Sequence, residues 1–408
     1  MFRAQRVRRN RVPSSLRTTR LVPMWACLCA GSLLTVLLAT TAGVATNAAS
    51  AAPRAVPIGG AARFTVVAPS TRGQLPPGGS NLPTWQGSFV LSGTTYDYTM
   101  IGTNPAAGSA TTTVPVELIP ISFSFAGGAT IDPTSLTSKV TASPIFANAK
   151  FTSGDTQIVD AMRRAEFWST VSTSAPKYHL LLGSPVVEPT LNVTVPASDG
   201  SYVGSKGKTN GKGGNGNGNG KSKTPYGYVS YEWFVPELES LLAAENFNVA
   251  TLPIAFSGDI FLYQNGNEGD CCVYGFHGDT STSGGDLTFA YGNYLSAGLV
   301  GKGKAVREDI FSLSHETVEW SDDPFVDNVV PTWDQPDGGT CYSDLLEGAD
   351  AAEALSDPSY KIKTKKPIQT WHPTDVAGIS WFAHSSPSQE INGLYSYAGL
   401  LTAPSTLC

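Results

Sequence analysis

The sequence predicts a mixed α/β or α+β fold, a mixed sheet with packed helices, and two observations carry this prediction. Segments such as residues 87–92 and 112–125 are rich in β-branched and aromatic residues and alternate in polarity, which is typical of strands. Other segments, such as residues 155–171, space apolar residues three to four apart, which is typical of helices. Because strand patterns come first and helix patterns join them later, we expect helices to pack on the sheet.

Several segments have the composition of strands and are bounded by Gly, Pro, Ser and Thr, which supply turns. They are residues 62–68, 87–92, 112–125, 178–182, 251–256, 259–263 and 287–291. Pro115 and Pro120 interrupt the third of these segments, so we expect irregular pairing there.

Helical patterns occur in three places. The first helix is predicted over residues 155–171, with Asp155 as its N-cap. The second begins near Pro236 and continues through an apolar run to Ala244. The third contains His315 and ends at Asp323, because Pro324 disfavours helical backbone at the residue before it.

The N-terminus has the three parts of a secretory signal peptide. Residues 1–20 carry seven arginines and no acidic residue, residues 21–45 are mostly apolar, and small residues follow at 48–52. We therefore predict a signal peptide over residues 1–52 and one secreted domain over residues 53–408, with two subdomains flanking a cleft as the alternative. The mature protein is expected to be extracellular and free of the membrane; a retained anchor is the competing interpretation.

Charge argues against a nucleic-acid partner. The whole chain has a formal net charge of −6, and removal of the seven arginines in residues 1–52 takes it to −13. Nucleic-acid binding depends on basic patches that neutralise phosphates. Acidic surfaces are ordinary in secreted proteins and do not identify the substrate, which we expect to be a peptide or a cell-wall polymer.

A segment rich in Gly, Lys and Asn interrupts the domain at residues 204–224. It contains five lysines and no apolar residue, so it has nothing to bury and is predicted to be a disordered loop. Gly220-Lys221-Ser222 matches the end of a phosphate-binding loop, but Asn215 stands where that loop needs glycine. Nucleotide binding is therefore not predicted.

Four cysteines remain after signal removal, and an exported protein with four cysteines is expected to form two disulfides. They are Cys271, Cys272, Cys341 and Cys408. Neighbouring cysteines rarely pair with each other, so Cys271 and Cys272 are each predicted to pair with one of the two distant cysteines. The order of pairing stays open.

The strongest chemical signal is the pattern HExxE, made by His315, Glu316 and Glu319. Residues four apart share one face of a helix, so His315 and Glu319 can converge on one divalent ion, most simply zinc. In the related HExxH arrangement, the residue at the position of Glu316 is the general base that activates water. The alternative is an exposed helix with solvated carboxylates, capped by Ser312 or Ser314.

The order of several motifs resembles the secreted EXORDIUM, or phosphate-induced protein 1, family in its wider bacterial form. These motifs are the Cys-Cys pair followed by Gly-Phe-His277, then Phe-Ala-Tyr291, the HExxE helix ending in Asp-Asp-Pro324, and Leu-Glu347 before Asp350. Plant members of that family are extracellular and linked to growth. The His-Glu pair makes this chain also look like a zincin-type metallopeptidase.

That second resemblance implies a third metal ligand downstream of the helix, because gluzincin-like peptidases take a glutamate there. Glu347 is the matching candidate, with Asp350 orienting a ligand from behind. His277 is the other candidate ligand, held near the site by the neighbouring cysteines. Asp323 lies eight residues after His315 and can reach the same face or cap the helix end.

Two functions follow from these candidates. The first is a secreted zinc hydrolase, most simply a metallopeptidase, with zinc on His315, Glu319 and Glu347 and with Glu316 as general base. The second is a non-catalytic extracellular or cell-wall binding protein in which the same residues hold a structural ion. An open coordination position favours the first function and a closed site favours the second.

Overall fold

The structure, a computed structural model, describes residues 81–204, 224–301, 306–336, 341–353 and 355–408. The predicted signal peptide, the predicted strand at residues 62–68, and residues 205–223 of the predicted loop lie outside these ranges. Among the described residues, no helix is both long enough and apolar enough to cross a bilayer.

Strands and helices alternate along the described chain. The strands are β1 (Thr84–Leu91), β2 (Thr94–Ile101), β3 (Thr111–Val114), β4 (Val116–Ser124), β5 (Thr130–Ile131), β6 (Ala149–Phe151), β7 (Gly154–Thr156), β8 (His179–Leu182), β9 (Val186–Val187), β10 (Leu191–Thr194), β11 (Gly200–Val203), β12 (Tyr226–Ser230), β13 (Leu252–Gly258), β14 (Ile260–Tyr263), β15 (Cys271–Val273), β16 (Gly275–Thr282), β17 (Gly285–Val300), β18 (Arg307–Asp309), β19 (Val329–Asp334), β20 (Ser343–Leu345), β21 (Ile362–Lys365), β22 (Ile368–Trp371) and β23 (Thr406–Leu407). The α-helices are α1 (Thr137–Thr141), α2 (Ile158–Glu166), α3 (Trp168–Val171), α4 (Tyr231–Glu245), α5 (Phe311–Asp322), α6 (Gly348–Glu353) and α7 (Ile379–Phe382). Short 3-10 turns occupy Pro105–Ala107, Thr134–Leu136 and Ile391–Gly393.

The fold is mixed α/β, as the sequence predicts, and its main sheet has the order β10-β4-β13-β17-β16. The pairs β10–β4, β4–β13 and β13–β17 are parallel, whereas β16 runs antiparallel to β17. Strands β5, β9 and β18 add to the margins of this sheet. Strands β4 and β13 are buried on both faces, which is usual for parallel strands covered by helices.

Two hydrophobic cores cover the two faces of the main sheet. On one face, Leu118 of β4 packs in a cluster with residues of α2 and α5, including Trp320. On the other face, Ile119 of β4 packs in a cluster with Phe234 and Leu238 of α4. The alternation of Leu118 and Ile119 follows from the two-residue period of a strand. Helix α5 therefore lies against the sheet, inside the protein.

Smaller sheets surround this centre. Strands β11-β12-β14-β15, β22-β21-β6-β7 and β20-β19-β23 form three of them, and β1–β2 and β3–β8 form pairs. Strands β11 and β12 are antiparallel neighbours, so the Gly/Lys/Asn-rich segment joins two adjacent strands.

Three helices begin at residues other than those predicted from the sequence. Asp155 is not an N-cap, because it lies in β7 of the β6–β7 hairpin; α2 begins after Gln157. Helix α4 begins at Tyr231 instead of near Pro236. The Ser230 hydroxyl accepts a hydrogen bond from the Trp233 amide and so caps the first turn of the helix, before Pro236. In α5, the N-cap is Ile310, so Ser312 and Ser314 lie inside the helix.

The predicted disulfide pairing is wrong: Cys271 pairs with Cys272, and Cys341 pairs with Cys408. The C-terminal strand β23 runs antiparallel to β19, and the Cys408 amide donates to the Thr332 carbonyl. The segment that carries Cys341 also runs beside β19, because the Tyr342 amide donates to the Trp333 carbonyl. This arrangement brings the Cα atoms of Cys341 and Cys408 to 5.7 Å, a distance suited to a disulfide, and leaves the adjacent cysteines to each other.

We predict that a Cys408→Ser variant of the mature protein exposes one reactive thiol, at Cys341. The reason is that the adjacent pair forms independently of the C-terminal pair. Alkylation of unreduced, denatured protein followed by peptide mass mapping locates the label. A label on Cys271 or Cys272 would show that the disulfides cross between the two segments.

Candidate metal centre

Helix α5 is fixed at both ends by polar contacts. At its start, the Asp309 carboxylate accepts the Ile310 amide at 2.6 Å. At its end, Pro324 follows Asp323, whose carboxylate accepts the backbone amides of Asp327 and Asn328 at 3.0 and 3.2 Å. Asp323 thus closes the turn after the helix, one of the two roles that the sequence left open for it.

Glycines allow α5 to approach the sheet closely. A Cβ added at Gly292 of β17 would lie 3.0 Å from the Leu313 Cα. The Ser312 hydroxyl accepts the Asn293 amide at 3.0 Å and donates to the Tyr274 carbonyl at 2.8 Å. These contacts set the rotation of α5, so its polar side chains lie between the sheet and α6.

Five residues form what we call the metal cluster. They come from β16, α5 and α6, and each is 2% exposed or less: His277, His315, Glu316, Glu319 and Asp350. Their donor atoms form two groups, each within 4.8 Å, that share Glu319. Neither group contains both histidines.

The first group joins the HExxE helix to α6. The Nε2 atom of His315 lies 2.9 Å from Oε2 of Glu319 and 3.3 Å from Oδ1 of Asp350. The sequence prediction that His315 and Glu319 share one face of a helix is met by this geometry. Asp350, predicted to act from behind a ligand, faces His315 directly instead.

The second group lies on the side of β16. Nδ1 of His277 is 3.4 Å from Oε2 of Glu316 and 3.9 Å from Oε2 of Glu319. Gly275, two residues before His277, leaves the space that Glu316 occupies: a Cβ there would lie 2.6 Å from Oε1 of Glu316. In the part of the chain that the structure describes, Glu316 Oε1 and His277 Nε2 have no hydrogen-bond partner.

Backbone and side-chain donors orient the shared carboxylates. Oε1 of Glu319 accepts the amides of Ala349 and Asp350, at 2.9 and 3.1 Å, in the first turn of α6. This leaves Oε2 of Glu319 to face both histidines. The Tyr342 hydroxyl donates to Oδ2 of Asp350 at 2.8 Å and leaves Oδ1 facing His315. Each carboxylate thus keeps one oxygen directed into the cluster.

Burial and mutual charge shift the titrations of the cluster. Burial lowers the pKa of His315, but Glu319 and Asp350 outweigh it, so this pKa lies well above its ordinary value. Burial also opposes ionisation of Glu319, yet His315 holds its pKa below the usual range. Burial lowers the pKa of His277 to about 4, so its imidazole is neutral and can act as a ligand. Burial raises the pKa of Glu316 well above normal.

Two further carboxyl groups adjoin the cluster. Glu347, the predicted third ligand, is 1% exposed, and its Oε1 has no hydrogen-bond partner in the described chain. It belongs to neither ligand group, although burial and the charge of Glu319 raise its pKa well above normal. Burial and Asp350 raise the pKa of Glu353 to about 8, and Arg307 Nε lies 3.9 Å from its Oε1.

The remaining histidines make other contacts. His372, whose pKa is raised by its hydrogen bond with Asp309, lies 2.8 Å from that carboxylate and 3.2 Å from Glu308. These three residues form a separate group in which Asp309 is buried and the side chains of Glu308 and His372 are partly exposed. Nε2 of His384 contacts the Ser405 hydroxyl at 2.7 Å.

The contact of Asp350 with His315 and the burial of Glu353 were not predicted from the sequence. A signal was present, since Glu347, Asp350 and Glu353 recur every third residue within an alanine-rich segment. Acidic residues at this spacing fall on one side of a helix, and apolar neighbours indicate that this side is buried.

Comparisons with family models, with curated proteins and with solved structures found no match.

We predict that Gly275→Ala lowers the free energy of unfolding by about 1–3 kcal/mol, the usual effect of overpacking. The new methyl group would overlap Glu316 and would also lie 2.7 Å from the Tyr291 carbonyl. The matched control is Gly284→Ala, because a Cβ there would make only ordinary contacts, at 3.6 Å and beyond. Urea unfolding measures both variants, and equal stabilities would show that Gly275 is not needed for close packing.

Proposed function

We propose that this protein is a metal-dependent hydrolase with a zinc ion held by His315, Glu319 and Asp350. One observation carries the proposal: a buried imidazole nitrogen and two buried carboxylate oxygens converge within 4.8 Å. Burying the carboxylates of Glu319 and Asp350 is costly without a positive charge, and a divalent ion would supply that charge in place of the proton on His315.

The donor set fits zinc in type, and one of its two measured distances fits a tetrahedral ion. Zinc takes imidazole nitrogen and carboxylate oxygen at about 2.0–2.2 Å, so two tetrahedral donors lie roughly 3.3–3.6 Å apart. The distance from His315 to Asp350 is 3.3 Å, and the distance from His315 to Glu319 is shorter, at 2.9 Å. When bound, such an ion supplies Lewis-acid polarisation of a substrate carbonyl.

The other residues in and beside the metal cluster have roles that do not require them to bind the ion. With an ion bound, the positive charge would favour the ionised form of Glu316, which would then accept the proton of the attacking water. Its Oε1 has no hydrogen-bond partner in the described chain. Nδ1 of His277, 3.4 Å from Glu316, orients that carboxylate. Glu347 is a neutral acid at the border of the site, in line with its raised pKa.

The substrate and location come from the sequence. The basic, apolar and small-residue segments of residues 1–52 favour export, and the acidic mature chain favours a peptide or cell-wall polymer over nucleic acid. The likeness to EXORDIUM-type secreted proteins supports the same location.

Burial favours a second candidate, a non-catalytic extracellular protein with a structural ion. All five residues of the metal cluster are 2% exposed or less, so a polymer substrate has no direct path to the donor atoms in this conformation. Structural zinc sites have closed coordination, and catalytic sites keep one position for water or substrate.

We predict that His315→Ala and Glu319→Gln lose the metal, while Glu316→Gln keeps it. An amide is a poor ligand for a divalent ion, whereas Glu316→Gln removes only the basic carboxylate. Hydrolysis of a mixed peptide library by Glu316→Gln should fall by roughly 10²–10⁴, the usual contribution of a positioned base. Elemental analysis of each purified mature variant gives the metal content.

A matched pair of variants tests the third ligand. Asp350→Asn should weaken metal binding and Glu347→Gln should not, because only Asp350 belongs to a ligand group. The opposite result would restore Glu347 as the ligand. Metal loss in Glu316→Gln would make Glu316 a ligand, and unchanged metal in every variant would leave the cluster without an ion.

Cobalt substitution separates the two candidate functions. We expect acetohydroxamate to change the visible spectrum of the Co²⁺-substituted protein, because a hydrolase keeps a position for exogenous oxygen ligands. The same titration of Glu316→Gln is the control, since its coordination is intact. An unchanged spectrum at saturating acetohydroxamate would support the structural ion and exclude an open site.

A further inference from the structure

Another set of converging ligand atoms lies just before α5. We call it the His372 group, and its members are Glu308 and Asp309, at the end of β18, and His372, which follows β22. One nitrogen or oxygen from each residue lies within 4.8 Å of the other two. None of these residues belongs to the metal cluster, and the proposed hydrolase chemistry does not use them.

One imidazole nitrogen of this group faces both carboxylates. Nδ1 of His372 lies 2.8 Å from Oδ2 of Asp309 and 3.2 Å from Oε1 of Glu308. Successive side chains of a strand normally point to opposite faces, so two adjacent acids rarely approach the same atom. Asp309 departs from this rule because its φ is 48°, in the left-handed region, and the chain turns there. The two carboxylates therefore converge, as ligands of a single ion must.

Backbone contacts hold two of the three donor atoms in place. Oδ1 of Asp309 accepts the amides of Ile310 at 2.6 Å and of His372 at 3.0 Å, which leaves Oδ2 directed at the imidazole. The segment that carries His372 is anchored in turn, because the Thr374 amide donates to the Ser314 hydroxyl of α5 at 3.1 Å. The positions of Asp309 and His372 thus rest on contacts that need no bound ion.

Solvent reaches the His372 group, in contrast to the metal cluster. The side chains of His372, Glu308 and Asp309 are 15%, 21% and 10% exposed. An ion held by these three side chains therefore keeps positions for water, and it can enter or leave without unfolding of the protein. Two carboxylates and a neutral imidazole carry a net charge of −2, which a divalent ion matches. One nitrogen and two oxygen ligands with water beside them are a donor set that zinc accepts.

We propose that the His372 group binds a second, exchangeable zinc ion through His372 Nδ1, Asp309 Oδ2 and Glu308 Oε1. Two donors of a tetrahedral zinc ion lie roughly 3.3–3.6 Å apart, so the Glu308 distance nearly fits and the Asp309 distance widens on binding. The ion replaces the proton between His372 and Asp309. Hydrogen bonding with Asp309 raises the pKa of His372, although burial and Lys361 act against it. Zinc binding therefore releases a proton and strengthens as the pH rises.

The test counts zinc in the mature protein, first freed of metal by a chelator, through competition with a chromogenic zinc indicator at pH 8. We expect two zinc ions per wild-type chain, one of them in the metal cluster. His372→Gln and Glu308→Gln should each weaken the second ion by roughly 100-fold or more, since losing a residue that only orients a ligand already costs 10–100-fold. The matched control is His179→Gln, which should keep both ions. His179 is also partly exposed, but it pairs with a single carboxylate, that of Asp160, at 2.9 Å.

His315→Ala separates this proposal from the proposed function. It removes the ion of the metal cluster and should keep one zinc ion, in the His372 group. A single wild-type ion that is lost in His372→Gln would support the second site and contradict the first. The cobalt titration of the metal cluster is accordingly repeated in His372→Gln, where the exposed site is absent. Unchanged zinc content and affinity in both His372→Gln and Glu308→Gln would overturn the proposal. A second ion with a Kd above about 1 mM would also overturn it, as an adventitious ion only.

Discussion

The burial of the Glu319 carboxylate is the constraint on which the rest of the structure depends. A carboxylate in the interior needs a donor or a positive charge at each oxygen. Two amides of α6 meet one oxygen, and His315 lies 2.9 Å from the other. Helix α5 must therefore lie between the sheet and α6, and both must approach it closely. The charge that remains, on Asp350, is what a bound cation would neutralise.

The two ends of α5 carry the two groups of buried charge. His315, near its start, belongs to the metal cluster, and Asp322, its last residue, is held by Arg163 of α2. Between these two ends, α5 packs on the main sheet, where Gly275 leaves space for the Glu316 side chain and Gly292 for the backbone of α5.

The sequence predicted the mixed α/β class, the HExxE helix and its end before Pro324, because each depends on local spacing. The sequence also indicated His277 as a candidate metal ligand, and the structure places that residue beside Glu316. Pairing of the cysteines depends on β23 returning to β19, a long-range contact that no local pattern encodes. The direct approach of Asp350 to His315 depends in the same way on how α6 docks. The predicted first residues of α2 and α4 were wrong. Asp155 pairs in the β6–β7 hairpin and so cannot cap α2, and the Ser230 cap starts α4 before Pro236.

We propose that one divalent ion lies among His315, Glu319 and Asp350. Anomalous diffraction at the zinc absorption edge, on crystals of the mature protein grown with zinc, tests it most directly. We expect a strong anomalous peak within about 2.0–2.2 Å of His315 Nε2, Glu319 Oε2 and Asp350 Oδ1. Data of the same quality with no peak among these atoms, or with ordered water in that position, would contradict it.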